Sequence, residues 1–403
     1  MYSAESMTGP PAMALAGADW SSLPCDLVRR IADSFLTTNH MDCYVDLRAV
    51  CHNWRSATDD PSDASDPRFR PHRWIILDDD EALESDTRRL LVNTASGRFL
   101  HRELPLLRDY YVVATTLNGF FVLAEKSPPH AARVFNPLTG AMIRFAAPVP
   151  PDGEVAAALR FGMALPMLTL ICDSSRKHYV AFSDYECFTS REYNDSSYHA
   201  PYNFARRAIR DGFDGALPGL TGLSEVVDHI GDLMRLHHAQ PANFFSNHPP
   251  ETGHADDGRC FLVQCSGQLL IVLKVQRVVR LLKLEPTSDQ LVCLRTIGNH
   301  NHAIFIGHQR CLAVCADKFP SVEANCVYYT EHVGSFAHIY KYSLRGDKRE
   351  MISAIDFVKQ GKRFVPVGAR PFTIIQLLLS YTINARDSQL AMAYNKSQSG
   401  ALT

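Results

Sequence analysis

The sequence carries no excess of charge. Its formal net charge is −2, and no dense Lys/Arg cluster stands out. A broad basic field for nucleic acid is therefore excluded. No positive n-region precedes an apolar core in residues 1–19, whose short apolar run is broken by Pro10 and Pro11; no secretory signal is expected. The longest apolar runs, near Leu269–Val275 and Ile374–Leu379, are far too short to cross a bilayer and suit strands. Three enzyme signatures are missing as well: a Gly-x-Ser-x-Gly elbow, a phosphate-cradling glycine loop and His-Glu-x-x-His. With no such motif, no catalytic residue and no cofactor are expected.

Cysteine, by contrast, is plentiful. Eleven are scattered among apolar neighbours. Without a secretory signal they read as reduced thiols in cytoplasm or nucleus. Cys311, Cys315 and Cys326 with His308 could suggest zinc, but the first pair is spaced C-x3-C in an alternating run. Core thiols fit better than a metal site. Cys260 and Cys265 read the same way. His237-His238 reads as exposed rather than ligating. A Cys–His catalytic pair among seventeen histidines stays open.

The 403 residues suffice for more than one domain. Residues 1–19 read as a disordered tail. From Trp20 the pattern becomes helical. Ser22 is expected to cap a helix with Pro24 in its first turn. Leu27, Ile31 and Phe35, widened by Val28 and Leu36, form an apolar stripe opposite Arg29, Arg30 and Asp33. Thr37–Met41 reads as a connector. Tyr44, Leu47, Cys51 and Trp54 then recur on one face of a second helical segment. Asp42 or Asp46 suits its N-terminal end. Helical character continues to Ala57, and Asp60-Pro61 stops it. So short a unit buries little by itself. It either packs on its own chain or completes its core on a partner.

Residues 61–72, rich in Asp, Ser and Pro, read as a linker. Trp74–Leu77 reads as a strand, and the acidic run after it as a solvated loop. Beyond residue 88 come short β-prone runs about ten residues apart, bounded by Gly, Pro, Asn or Asp. They include Tyr110–Thr115, Phe120–Ala124, Leu168–Cys172, Cys260–Gln264, Leu269–Leu273, Cys311–Cys315, Cys326–Tyr329, His338–Ser343 and Phe372–Leu378. Such a pattern fits a sandwich, barrel or propeller. Its length exceeds one sandwich and gives about six or seven blades, although no Trp-Asp repeat marks them. Residues 185–255 lack clean strands, as a helical or disordered insertion or a degenerate blade would. The domain boundaries are then 20–60, 61–72, 73–380 and a frayed tail, 381–403.

Two resemblances follow from these residues. Leu23-Pro24, Leu27, Ile31 and Leu36, followed by LRAVCHNWR over residues 47–55, resemble an F-box over about a tenth of the chain. Gly119-Phe120-Phe121, Phe135-Asn136-Pro137-Leu138-Thr139-Gly140, RCFLVQCSGQLLIVLKV and the run AIFIGHQRCLAVCADKFPSVEANCVYYTEH resemble a plant family that joins an F-box to a KIB-type β-propeller. The resemblance covers most of residues 70–380. It implies a mainly β chain, with a short helical F-box before a propeller-like domain.

It also implies a non-catalytic substrate receptor of a Skp–cullin–F-box ubiquitin ligase. Leu23, Pro24, Leu27, Ile31, Leu36, Leu47, Val50 and Trp54 would meet the Skp-type adaptor, and through it a cullin. Trp54 is open to a second role, as a core residue. The propeller would hold a target protein that the sequence does not name. Neither nucleic acid nor membrane is an expected partner. The alternative from another class is an interaction protein whose propeller tethers or masks a partner without ubiquitin transfer. A third, an enzyme with a pocket on the propeller face, would need converging titratable residues.

Overall fold

The computed structural model describes residues 20–400 apart from 65, 78–86, 117–118, 154, 162–164, 173–174, 193–258, 276, 286–289, 354–355, 369–370 and 385–386. The chain divides into two compact units after Phe69. The first is helical. A single 3-10 turn, Trp20–Ser22, precedes α1 (Cys25–Thr37), α2 (Met41–Val50) and α3 (His52–Ser56). Pro24, not Ser22, stands at the α1 N-cap, and its carbonyl accepts from Leu27 and Val28 N–H. A proline fits there because it has no N–H to leave unpaired and its fixed φ suits a helix entry. Asn39, with φ of +59°, ends the helix, and His40 N–H reaches back to the Phe35 carbonyl at 2.8 Å. Asparagine takes this left-handed position more readily than most residues. The connector is thus only Thr38–His40.

The expected linker over 61–72 needs correction. Its first part packs on the helices. Phe69 lies buried with its ring 5.4 Å from that of Tyr44, and the Tyr44 hydroxyl donates to the Asp59 carbonyl at 2.8 Å. An aromatic side chain at residue 69 gains more by burial than a solvated hinge would allow.

The second unit is built of antiparallel sheets. Strands β1 (Trp74–Leu77), β2 (Arg88–Asn93) and β3 (Phe99–Glu103) form a three-stranded sheet. Next come three four-stranded meanders. The first holds β4 (Tyr110–Thr115), β5 (Phe121–Glu125), β6 (Ala131–Phe135) and β7 (Met142–Pro148). The second holds β8 (Val155–Phe161), β9 (Pro166–Cys172), β10 (Lys177–Phe182) and β11 (Thr189–Glu192). The third holds β12 (Arg259–Cys265), β13 (Gln268–Val275), β14 (Val278–Glu285) and β15 (Gln290–Leu294). Thr116, just beyond β4, bridges in parallel to Ala157 of β8, as expected where the first strands of neighbouring propeller blades run side by side. The turns explain two of the sequence motifs. Asn136 Oδ1 accepts from Leu138 N–H at 3.0 Å, and Gly140 closes that turn at a φ of +80°. Gly119 has a φ of +86°, and a Cβ there would come within 2.6 Å of the Trp74 carbonyl oxygen, so only glycine fits.

The last sheet has seven strands: β16 (His302–Ile306), β17 (Cys311–Cys315), β18 (Cys326–Val333), β19 (Phe336–Ser343), β20 (Lys348–Met351), β21 (Phe357–Gln360) and β22 (Arg363–Pro366). Strands β16 and β18 pair in parallel, and the rest of the sheet is antiparallel. Each face contributes to a core, and the alternation of side chains sorts them. Ile304, Ile306, Val327, Tyr329 and Tyr342 join Val263, Val272 and Leu281 of the β12–β15 sheet in one core. Phe305, Leu312, Tyr328 and Ile339 join Ile75, Leu77 and Val92 of the β1–β3 sheet in another.

The second core contains the main correction to the sequence-based expectation. Residues Phe372–Leu378 were expected to be a strand, but α4 runs over Ile374–Ile383. Thr373 caps it by accepting from Gln376 N–H at 3.2 Å, and the Gln376 side chain reaches back to Thr373 N–H at 2.9 Å. Ile375, Leu378, Leu379, Tyr381 and Ile383 enter the core with Phe305 and Ile75. A helix apolar on most sides is a buried helix, and a short apolar run cannot be told from a strand by periodicity. Gly307 lets α4 settle, because a Cβ there would lie 2.3 Å from the Thr382 carbonyl oxygen.

The expected frayed tail, 381–403, is corrected too. It carries α5 (Gln389–Gly400), whose Leu390 is fully buried. Ser388 N–H bonds to the Gly153 carbonyl at 3.2 Å, and Gln389 Oε1 accepts from Val112 N–H of β4 at 2.8 Å. A polar sequence hides this attachment because one leucine and one amide make much of it. Residues 185–192 do not belong to an irregular insertion, since β11 completes a blade there. The rest of that expected insertion, the acidic run and the expected tail 1–19 lie outside the described residues. So does the stretch on which a count of six or seven blades would depend: the described strands make the five sheets above.

Candidate docking surface

The helical unit shows two adjacent apolar stripes on α1 where periodicity suggested one. Val28 and Ala32 are buried, while Leu27 and Ile31, one residue earlier in each turn, are 38% and 40% exposed. The geometry follows from the helix: neighbouring residues sit about 100° apart, so both pairs form stripes but face different ways. Pro24 at the start of α1 and Val50 at the end of α2 are also exposed. Leu23 and Leu36 are half-buried. Of the eight residues expected to meet a partner, Leu47 is placed apart, at 6% exposure within the chain's own packing.

Trp54 is half-buried and serves as a fastener. Its indole N–H donates to the Trp20 carbonyl at 3.1 Å, while Asn53 Nδ2 donates to the Ser21 carbonyl at 3.3 Å. The entry turn is thereby tied to α3. Arg48 does the same for the exit, donating to the Thr58 carbonyl at 2.6 Å and its hydroxyl at 2.9 Å. Arg29 Nε donates to the Ala57 carbonyl at 3.0 Å. Burial raises the Tyr44 phenol pKa, so its hydroxyl remains the donor to Asp59 at neutral pH. These bonds rigidify the unit and leave Leu27 and Ile31 facing solvent. Trp20, also exposed, is one candidate that periodicity missed, because it precedes the first periodic turn.

Cys172, Cys260, Cys265, Cys311 and Cys326 are buried as packing thiols, whereas Cys25, Cys187 and Cys293 are exposed. Cys311 and Cys326 are buried in the two different cores, so the last sheet lies between them and they cannot share one metal. Burial pushes the Cys326 thiol up to about 11 and raises Cys265 as well, which keeps both protonated and poorly nucleophilic at neutral pH. Among the described residues no group of three or more His, Cys, Asp or Glu side chains could hold a metal. No helix of the described residues is long and apolar enough to cross a membrane.

A match to the KIB1-4 beta-propeller covers residues 90–351. The chain belongs to the KIB1-4 beta-propeller family. The matched span runs from β2 to β20, so it takes in the three meanders and most of the last sheet. The helical unit, α4 and α5 lie outside it. No curated protein matches the chain. A KIB1-4 beta-propeller offers blade edges and loops suited to gripping another protein.

Proposed function

We propose that the chain is a substrate-receptor subunit of a Skp–cullin–F-box ubiquitin ligase. The helical unit docks on the Skp-type adaptor, which brings the cullin, and the propeller holds a protein to be ubiquitinated in cytoplasm or nucleus. The observation that carries this is the Leu27/Ile31 stripe: two apolar side chains exposed at i and i+4 on a rigidly tied helix, in the F-box-like order of residues 23–55. Such anchors suit a helix seated in an apolar groove. Family membership of the propeller supports the other half. The chain makes and breaks no bonds. It raises the effective concentration of target lysines beside the charged conjugating enzyme.

Replacing Leu27 and Ile31 together by Asp tests the docking. Both are exposed, so the helical unit should keep its far-UV circular dichroism while adaptor and cullin disappear from affinity purifications. Undiminished adaptor recovery would refute the proposal. Deleting residues 20–60 should make the propeller's partner accumulate in cells. A partner that is still bound, with its abundance unchanged, would return the chain to the tethering alternative.

A further inference from the structure

On the face of the last sheet that packs on the β12–β15 sheet, exposure rises along β19 from buried Tyr342 to exposed Phe336. On β19 the side chains of Tyr342, Tyr340, His338 and Phe336 share this face, and register places Tyr329 and Glu331 of β18 and Arg349 and Met351 of β20 beside them. Tyr342 and Tyr329 are buried, Tyr340 and His338 are half-buried, and Phe336 and Met351 are 43% and 51% exposed.

Where the apolar core gives out, the chemistry turns cationic. Arg349 lies 3.8 Å above the Tyr340 ring, which stacks on Tyr329 with centroids 5.8 Å apart. Lys274 of β13 lies 5.2 Å from the Tyr329 ring. Glu331 accepts from both Arg349 and Lys274, the latter at 3.1 Å. Two cations thus share this carboxylate, and Arg259 adds a third positive charge bearing on Lys274. Tyr329 is only 2% exposed, and its hydroxyl, though beside the guanidinium, meets hydrogen-bond geometry with no described residue. Arg349 Nε and His338 Nδ1 are likewise buried without a hydrogen bond to a described residue. Leaving such groups unpaired is costly, and three of them gather on one face.

We infer that this patch is where the propeller grips its protein partner, and that it takes a peptide segment with an anionic side chain next to an apolar one. The partly accessible Arg349 guanidinium receives the anion, while Phe336 and Met351 receive the apolar side chain. Arginine, tyrosine and methionine beside exposed aromatic surface are the composition of an interface centre. The anion is a carboxylate or a phosphoryl group, since both fit a guanidinium edge.

The inference rests on the propeller being the partner-holding half. The test uses the full chain on immobilised peptides that set Leu beside Glu, phosphoserine, Ser or Lys. Retention should favour the Glu and phosphoserine peptides, and their ranking identifies the anion. The double variant Phe336→Ala/Met351→Ala changes only exposed side chains and should weaken binding by roughly tenfold or more. Arg349→Lys, which keeps the charge but loses the planar fork, should blunt the preference for anionic peptides. No retention, retention indifferent to peptide charge, or retention unaffected by the double variant would each overturn the inference. Adaptor recovery is measured on the same proteins. The double variant should keep it, whereas Leu27→Asp/Ile31→Asp should lose it and keep peptide binding, so the two proposals fail separately.

Discussion

Asn384 closes α4 by standing in for a strand. It is buried, with extended backbone at the helix end, and its amide meets the main chain of Phe364 in β22. Phe364 N–H donates to Asn384 Oδ1 at 2.8 Å, and Asn384 Nδ2 donates to the Phe364 carbonyl at 2.9 Å. The side chain thus satisfies both polar groups of a residue at the sheet edge. Asn384→Ala removes both bonds at once. Each orphaned buried group costs about 1–3 kcal/mol, so the loss should be about 3 kcal/mol after partial hydration. Urea unfolding followed by near-UV circular dichroism should show a lower midpoint at an unchanged slope. Asn384→Asp keeps the acceptor for Phe364 N–H but turns an oxygen toward the Phe364 carbonyl, so it should lose at least as much. A variant within about 0.5 kcal/mol of the parent would refute the idea that this amide holds the edge strand.

Three further outcomes are expected. Burial, reinforced by Arg259 and Lys359, pushes the His332 imidazole down to about 4. The unfolded chain then binds more protons than the folded one between about pH 6.5 and 4, so this contribution is intact above that window and lost as pH falls through it. It amounts to at most about 3 kcal/mol, and His332→Gln should flatten the acid side of a stability–pH profile. Leu47→Ala should destabilise the helical unit by about 2–4 kcal/mol in thermal melts, because the side chain lies inside, whereas Leu27→Ala should leave stability nearly unchanged. Under native conditions at mildly alkaline pH, iodoacetamide should alkylate exposed Cys25, Cys187 and Cys293 well before Cys326, as read by peptide mass spectrometry.

Several of these elements were legible beforehand. The runs Tyr110–Thr115 and Cys311–Cys315 are strands with those bounds. They alternate or run apolar between unmistakable turn residues, and little but a strand satisfies that pattern. The Asn136–Gly140 motif was legible for the same reason, because its turn is local chemistry. By contrast β8 hid in the run Val155-Ala156-Ala157-Ala158, which has little strand preference until neighbours pair with it. The β21–β22 hairpin hid among lysines and arginines, where no apolar run announces a strand.

What the sequence determined alone was local: which stretches are helical, which short runs are strands, and where glycine or asparagine turns the chain. It also carried the order of residues 23–55 and the propeller motifs, because these are patterns of neighbours. Only tertiary structure decided which side of α1 faces solvent. Leu27 and Val28 are equally apolar, and packing alone separates them. Packing also made Ile374–Ile383 a helix, since a short apolar run is compatible with either element until a core takes it up. The cationic patch on the last sheet belongs to the same class. Tyr329, Arg349 and Lys274 come from three strands, and no sequence spacing brings them together; strand register does.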